Sequence, residues 1–263
     1  MRGYCIGAVY LKAVFSKCPT FEQEFYLSNY KFLTAIFMKF EFVENSSQEE
    51  VDYQRYHQRR FEFALQRALQ YSNGRIVEVG PYAISYNLLK QGLAVEAIGF
   101  LSEKIKGINK FVAFDFEALR STGKPLLSDN YNLVIACEVI EHLNLDIDLI
   151  YRQLFELTAP GGIVIIQTPN AVALKKRMTM LIGKNPFEMV RSDYTPGNGG
   201  HIREFTMAEL KNHAVKNNFT VKEAYCLNYF DYSHSIKARL YRAFCNICPP
   251  GFRDGITIIL QRK

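Results

Sequence analysis

The sequence predicts an α/β fold built on a mostly parallel sheet, and three observations carry that reading. From Arg75 onward, short apolar runs alternate with helical patterns, which is the rhythm of βαβ units. Two segments, Tyr131–His142 (YNLVIACEVIEH) and Ala159–Asn170 (APGGIVIIQTPN), pass from apolar to polar, as when a buried parallel strand delivers functional groups to the carboxyl edge of its sheet. That edge is where open α/β sheets bind ligands. The third observation is size: 263 residues with 48% hydrophobic content suffice for one such core plus an appended cap and are tight for two full domains.

The expected elements follow in chain order. Residues 1–70 are dense in Phe, Tyr, Glu and Gln and read as an N-terminal helical cap. Within them SSQEEVDYQRYHQRRFEFALQRALQYS forms one helix, opened by a serine cap with Glu49 and Glu50 in its first turn, and Phe61, Leu65 and Leu69 make an apolar stripe. Residues 71–263 hold the main domain. RIVEVG is its first strand, ISYNLLKQG a helix ending in glycine, and AVEAIGF, KFVAFD, YNLVIAC and GIVIIQT are strands two to five. A helix over Thr206 to Asn217 and two last strands, TVKEAYCLNYF and DGITIILQRK, complete it.

Two inserts interrupt this series, at 171–200 and 233–251. The first opens with a helix carrying Lys175, Lys176 and Arg177. In the second, Ile236, Leu240 and Phe244 share a face while Lys237, Arg239 and Arg242 are charged. Both leave the sheet at its ligand-binding end, which makes them substrate-recognition elements as well as ordinary surface helices.

A formal charge of +6 and a pI near 8.9 favour anionic partners without a nucleic-acid-binding block of basic residues. Six irregularly spaced cysteines, in a chain too large to need disulfide staples, indicate a reducing, cytoplasmic setting. Cys245 and Cys248 form a lone CxxC without a second ligand pair, so no metal site is assigned. The short apolar run near the start is broken by Lys12 and followed by no clear cleavage site. No stretch reaches the length of a membrane span, so the expectation is a soluble protein, at most peripheral.

The turn with Glu138, Glu141 and His142, the segment Pro160-Gly161-Gly162, the strand ending Thr168-Pro169-Asn170, and HIREFTMAEL (His201–Leu210) followed by NNFTV together resemble the class I S-adenosylmethionine (SAM) dependent methyltransferases, in particular small-molecule enzymes of glycan and natural-product pathways. The resemblance runs from about Arg75 to Phe219. It implies a Rossmann-like, doubly wound seven-stranded sheet closed by an antiparallel C-terminal hairpin, with SAM as cofactor.

In that family the first strand ends in an acid and a glycine-rich turn, where glycine admits the ligand to the backbone and the acid receives the methionine ammonium. Glu78 and Gly80 match, while Tyr82 and Ile84 stand where further glycines are usual. The second strand should end in a carboxylate for the ribose, and Gly99 holds that position, with Glu96 and Glu103 on either side. Losing such a charge-assisted contact costs roughly 1.5–3 kcal/mol, about ten- to a hundredfold in affinity. By resemblance, Asp115 and Phe116 serve the adenine, although an aspartate there is equally a helix cap. Cys137, Glu138 and Val139 line the methionine end through their backbone.

Methyl transfer from a sulfonium is an in-line displacement that mainly requires alignment, and a hydroxyl acceptor benefits from a general base. Resemblance makes His142 and His201 the catalytic candidates, with His142 ahead. The plain alternatives are that His142 packs a helix start and that His201 orders the insert. Glu141 is a helix-start carboxylate able to orient an imidazole, and His57, His213 and His234 have no comparable placement.

The leading reading is O-methylation of a sugar or other small polar metabolite, with a small-molecule acceptor as partner. The joint departures at Tyr82, Ile84 and Gly99 motivate a rival, a non-catalytic methyltransferase-like binding or scaffold protein. A nicotinamide oxidoreductase is disfavoured by the lack of GxGxxG. Base methylation of nucleic acid is disfavoured by Cys137-Glu138-Val139-Ile140 in place of the expected tetrad and by the modest charge. The basic helices add one further partner reading, docking on an anionic membrane to reach a lipid-linked glycan.

Overall fold

In a computed structural model of the chain, the described residues are 40–100, 105–187, 200–229 and 236–263. The first 39 residues of the expected cap, Glu103, His234 and the Pro/Gly-rich part of the first insert lie outside them.

The sheet has seven strands: β1 (Ile76–Val79), β2 (Val95–Gly99), β3 (Lys110–Ala113), β4 (Tyr131–Cys137), β5 (Thr158–Pro169), β6 (Phe219–Leu227) and β7 (Gly255–Arg262), in the spatial order β3-β2-β1-β4-β5-β7-β6. The pairs among β1 to β5 are parallel, and β7 runs antiparallel to both neighbours, β5 and β6. Six strands therefore point one way, and the direction of winding reverses between β1 and β4. The expected Rossmann-like sheet with its closing hairpin is the one observed.

The central strands are apolar along their whole length because both faces are covered. On one face, α2 (Gln58–Tyr71) packs against β4, β5 and α3 (Ala83–Lys90). Phe61, Ala64, Leu65 and Ala68 are its buried stripe. On the other, α5 (Ile147–Leu157) and α7 (Met207–Lys216) pack on each other, with α5 on β4 and β5 and α7 on β6 and β7. Val134, Val164, Ile258 and Leu260 meet Ile150, Leu154, Leu210 and Ala214 in this half of the core. Asp148 ties α5 to α7, accepting hydrogen bonds from His213 Nδ1 at 2.7 Å and Asn217 Nδ2 at 2.8 Å and pairing with Lys216.

The single N-terminal helix expected from the sequence is two. The segment α1 (Gln48–Tyr56) stops at His57, and α2 starts at the next residue in a new direction. At the break the His57 ring packs on its chain neighbours, 4.3 Å from Tyr53, 4.8 Å from Tyr56 and 6.1 Å from Phe61, centroid to centroid. The expected serine cap is present as a capping box, with Ser47 and Glu50 bonding each other's backbone N–H groups. Both helices belong to the same compact unit as the sheet, which spans Phe40–Lys263.

The inserts supply α6 (Leu174–Leu181) and α8 (Ile236–Ile247), joined where the Tyr241 hydroxyl accepts the Lys175 N–H at 3.0 Å. Ile236, Leu240 and Phe244 do share a face of α8, and it is exposed. The remaining helix, α4 (Leu119–Thr122), is a single turn after β3. Cys137, Cys226, Cys245 and Cys248 are free thiols, and no helix among the described residues is long and apolar enough to cross a membrane.

Candidate functional site

The carboxyl ends of the parallel strands open into a cavity of about 920 Å³. Gly80, Gly99, Asp115, Glu138 and Pro169, from the ends of β1 to β5 in turn, all line it. A crevice at the point where winding reverses is the place the topology provides. The corner between α1 and α2 contributes Tyr53, Tyr56 and His57, and α6 contributes Lys175, Lys176 and Thr179.

At the end nearest β1 to β3, the backbone comes close to any occupant. Gly80 has φ +69°, and a Cβ added to it would meet Val139 Cγ2 at 3.2 Å, so a side chain there is both strained and crowded. Phe116 follows β3 with Phe114 edge-on at 5.1 Å. Asp115 lines the cavity and also accepts the Glu117 N–H at 2.9 Å, which is the helix-cap role read from the sequence.

Glu78 lies beneath the cavity. Its Oε2 accepts from the N–H of Ser85 at 2.8 Å and of Tyr82 at 3.3 Å and from the Ser85 hydroxyl, which fastens the β1 turn to the start of α3. Burial pushes this carboxyl up to about 7, against the opposing pull of the Ser85 and Tyr82 hydrogen bonds. Tyr82 precedes α3 and packs on Tyr53 and Phe61, and Cys137, at the end of β4, is held protonated by burial. Of the ten site residues expected from sequence, Gly80, Asp115, Phe116, Glu138, Val139, His142 and His201 line the cavity, and Glu78, Tyr82 and Cys137 do not.

Another part of the wall is built by the turn after β4. Glu138 has φ +54°, an uncommon conformation for a residue with a side chain, and its carboxylate pairs with Arg60 Nη1 at 3.0 Å. Arg60 is only 2% exposed, below the cavity on α2. One helical turn, Ile140–His142, then presents Glu141 and His142.

His201 reaches the same place from the far side of the first insert, because the N–H groups of Ile202 and Arg203 both donate to the Glu141 carbonyl, at 2.8 and 3.2 Å. The His142 and His201 rings end 5.0 Å apart and nearly perpendicular. His142 Nδ1 is 3.0 Å from the Gly200 carbonyl, and His201 Nδ1 is 3.1 Å from Glu204 Oε1. Glu141 is fully buried. Its Oε2 accepts from the Thr168 hydroxyl at 3.1 Å, and its Oε1 has no hydrogen-bond partner among the described residues. Burial raises its pKa, with the His142 charge pulling the other way. His201 is pushed down to about 4 by burial and by the charges of His142, Lys176 and Arg60, so its imidazole is neutral at physiological pH.

Three participants escape a reading of the sequence. His57, given no role there, forms part of the cavity wall, with its pKa lowered to about 3 by burial and by Arg60. Arg60 was visible only as a charge continuing the buried Ala64–Ala68 row at four-residue spacing. Glu204 lines the cavity, holds His201 and pairs with Lys176. The matched Asn170 acts as a clamp, donating to the carbonyls of Gly251 at 2.9 Å and Arg253 at 2.7 Å.

Comparison with known proteins follows the same outline. A family model described as a methyltransferase domain matches residues 53–224. Among solved structures, a candidate SAM-dependent methyltransferase from Listeria monocytogenes is 14% identical, with 77% of this chain and 98% of that one covered at a TM-score of 0.51. A complex of the Haloferax volcanii Trm112 methyltransferase activator with a candidate methyltransferase matches at 12% identity, 85% and 98% coverage and a TM-score of 0.51. A SAM-dependent methyltransferase from Archaeoglobus fulgidus matches at 14% identity, 82% and 100% coverage and a TM-score of 0.49. No curated protein matches by sequence. With the family model covering well over half of its length, and the sheet and cavity arranged as above, this chain belongs to the class I SAM-dependent methyltransferases.

Proposed function

We propose that the protein transfers the methyl group of SAM to a hydroxyl of a sugar or another small polar metabolite. The observation that carries this reading is the pair of imidazoles, His142 and His201, 5.0 Å apart in the wall of the same cavity that Gly80 and Asp115 line.

The residues at the strand ends fit the cofactor. The Gly80 backbone is bare where the ligand approaches, and Gly99 adds no side chain beside it. Phe116 and Asp115 offer an aromatic wall and a hydrogen-bond acceptor to the adenine. The bound sulfonium supplies an electrophilic methyl group. The protein then has to align a nucleophile with that methyl, exclude water and receive one proton. In this reading His142 takes the proton, and the neutral His201 accepts a hydrogen bond from the acceptor. Lys175 and Lys176, on the wall formed by α6, suit an acceptor rich in oxygen atoms or carrying negative charge.

Calorimetric titration with S-adenosylhomocysteine tests the cofactor half, and transfer of labelled methyl from SAM to a panel of free and nucleotide-linked sugars tests the acceptor half. The variant His142→Ala should bind S-adenosylhomocysteine as the native protein does and lose most turnover, roughly a hundredfold or more. Full turnover by this variant would remove His142 from the reaction. No binding up to millimolar S-adenosylhomocysteine would instead favour the non-catalytic module.

A further inference from the structure

We infer that Glu141, His142 and His201 form a binding site for a single divalent transition-metal ion at the acceptor end of the cavity. The sequence alone assigns no metal, since one ligand lies some sixty residues from the other two. The fold brings them together, and one ligand atom from each lies within 4.8 Å of the others.

Three features distinguish this group from an incidental cluster. The first is chemical. Two imidazoles and one carboxylate are the donor set of zinc, manganese, cobalt and ferrous sites, whereas calcium and magnesium prefer oxygen alone. The second is the unfinished state of Glu141. A buried carboxylate oxygen without a hydrogen bond is costly, and Oε1 of Glu141 is such an atom while its Oε2 is held by Thr168. A cation satisfies it.

The third is the outer shell. Protein-bound metals are commonly ligated by histidines whose other ring nitrogen donates to a carbonyl or carboxylate, which fixes tautomer and orientation. Here His142 Nδ1 lies on the Gly200 carbonyl and His201 Nδ1 on the Glu204 carboxylate, so ligation through Nε2 keeps both bonds. Three ligands held at about 2.1 Å around one ion sit roughly 3.4–3.6 Å apart, so groups now within 4.8 Å of one another close by up to about 1 Å when the ion enters. His142 and His201 line the cavity and have room to do so.

Three protein ligands leave coordination positions open toward the cavity, as in catalytic metal sites. In the reaction, which rests on the methyl-transfer reading above, the acceptor hydroxyl oxygen occupies one of them. Coordination lowers its pKa, as it does for water. The proton passes to solvent, the oxygen forms a bond to the methyl carbon, and the carbon–sulfur bond breaks with its electron pair left on sulfur. With the ion bound, His142 and His201 act as its ligands, and this replaces the direct proton-accepting and hydrogen-bonding roles given to them above. An acceptor with a second oxygen beside the reacting hydroxyl, able to chelate, is the favoured class.

The test uses the full chain, freed of metal by a chelator and dialysed, and titrated with Mn²⁺ while the signal of free Mn²⁺ is followed by electron paramagnetic resonance. The expected result is uptake of one equivalent. Glu141→Gln and His201→Asn should each weaken uptake at least a hundredfold, and Glu204→Gln, which alters only the outer shell, by roughly ten- to a hundredfold. Binding of S-adenosylhomocysteine by each variant reports that it is folded, and His201→Asn, at the more open position, decides the matter if Glu141→Gln does not fold. No uptake of Mn²⁺ or Co²⁺, or uptake unmoved by these substitutions but lost in Cys245→Ser, would overturn the site. Failure of the native protein to bind S-adenosylhomocysteine would count against methyl transfer and leave the metal result standing.

Discussion

Burial lifts the Glu78 carboxyl to about 7, from the 4.5 expected in an unfolded chain. Below 4.5 both states hold the proton and the group has no effect on stability. Between 4.5 and 7 the unfolded chain gives up its proton first, so stability falls as pH rises through that window and levels off above it. Glu78→Gln does not titrate. The stability of the native protein relative to this variant should therefore drop by on the order of 3 kcal/mol between pH 4.5 and 8, as read from urea midpoints. A constant difference across the window would contradict the buried, neutral carboxyl. At this scale the sequence was most legible where chemistry sits on strand ends: Gly80, Asp115, Glu138 and His142 follow their strands directly, so locating the strand locates the residue. It was least legible where a side chain arrives from a distant helix. Arg60 meets Glu138 across 78 positions, and no local pattern records that pairing.

The helix α7 begins with a capping box in which the Thr206 hydroxyl accepts the Glu209 N–H and Glu209 returns the bond to Thr206 N–H, at 3.2 and 2.8 Å. Thr206 lies five residues after His201, so this cap fixes where the strap carrying His201 ends. Thr206→Ala should cost about 1 kcal/mol, or roughly 2–4 °C in Tm, without weakening S-adenosylhomocysteine binding. An unchanged thermal midpoint would show that the cap adds nothing. The helix read over Thr206 to Asn217 is observed at Met207–Lys216, and the apolar runs located the seven strands. The stop of α1 at His57 was not readable, since neither glycine nor proline marks it. At the break His57 has φ −98° and ψ 3°, with its ring packed on Tyr53 and Phe61. The strand β5 likewise starts earlier than its apolar run, at Thr158, through a register shift opposite Tyr131–Leu133.

At the scale of the molecule, β6 joins the sheet among the described residues only through β7, which lies between β5 and β6 and pairs with both along its length. Asp254, at the start of β7, lines the cavity, and its carbonyl accepts the Asn170 N–H at 2.8 Å. Removing residues 255–263 should leave β6 without its strand partner and α7 attached to the sheet through α5 alone. Such a chain should show no measurable S-adenosylhomocysteine binding and no cooperative unfolding transition, and ordinary binding by it would refute this dependence. The strand pattern predicted a closing hairpin, but only the topology shows that the hairpin's second strand is an inner one.

That placement also sets an order of events in the cell. While the polypeptide emerges from the ribosome, every residue at the acceptor end of the cavity is already exposed before β7 has been synthesised, yet the sheet has a gap where β7 belongs. The sheet cannot close until translation has passed this strand, and the unpaired β5 edge is a natural client for chaperones during that interval.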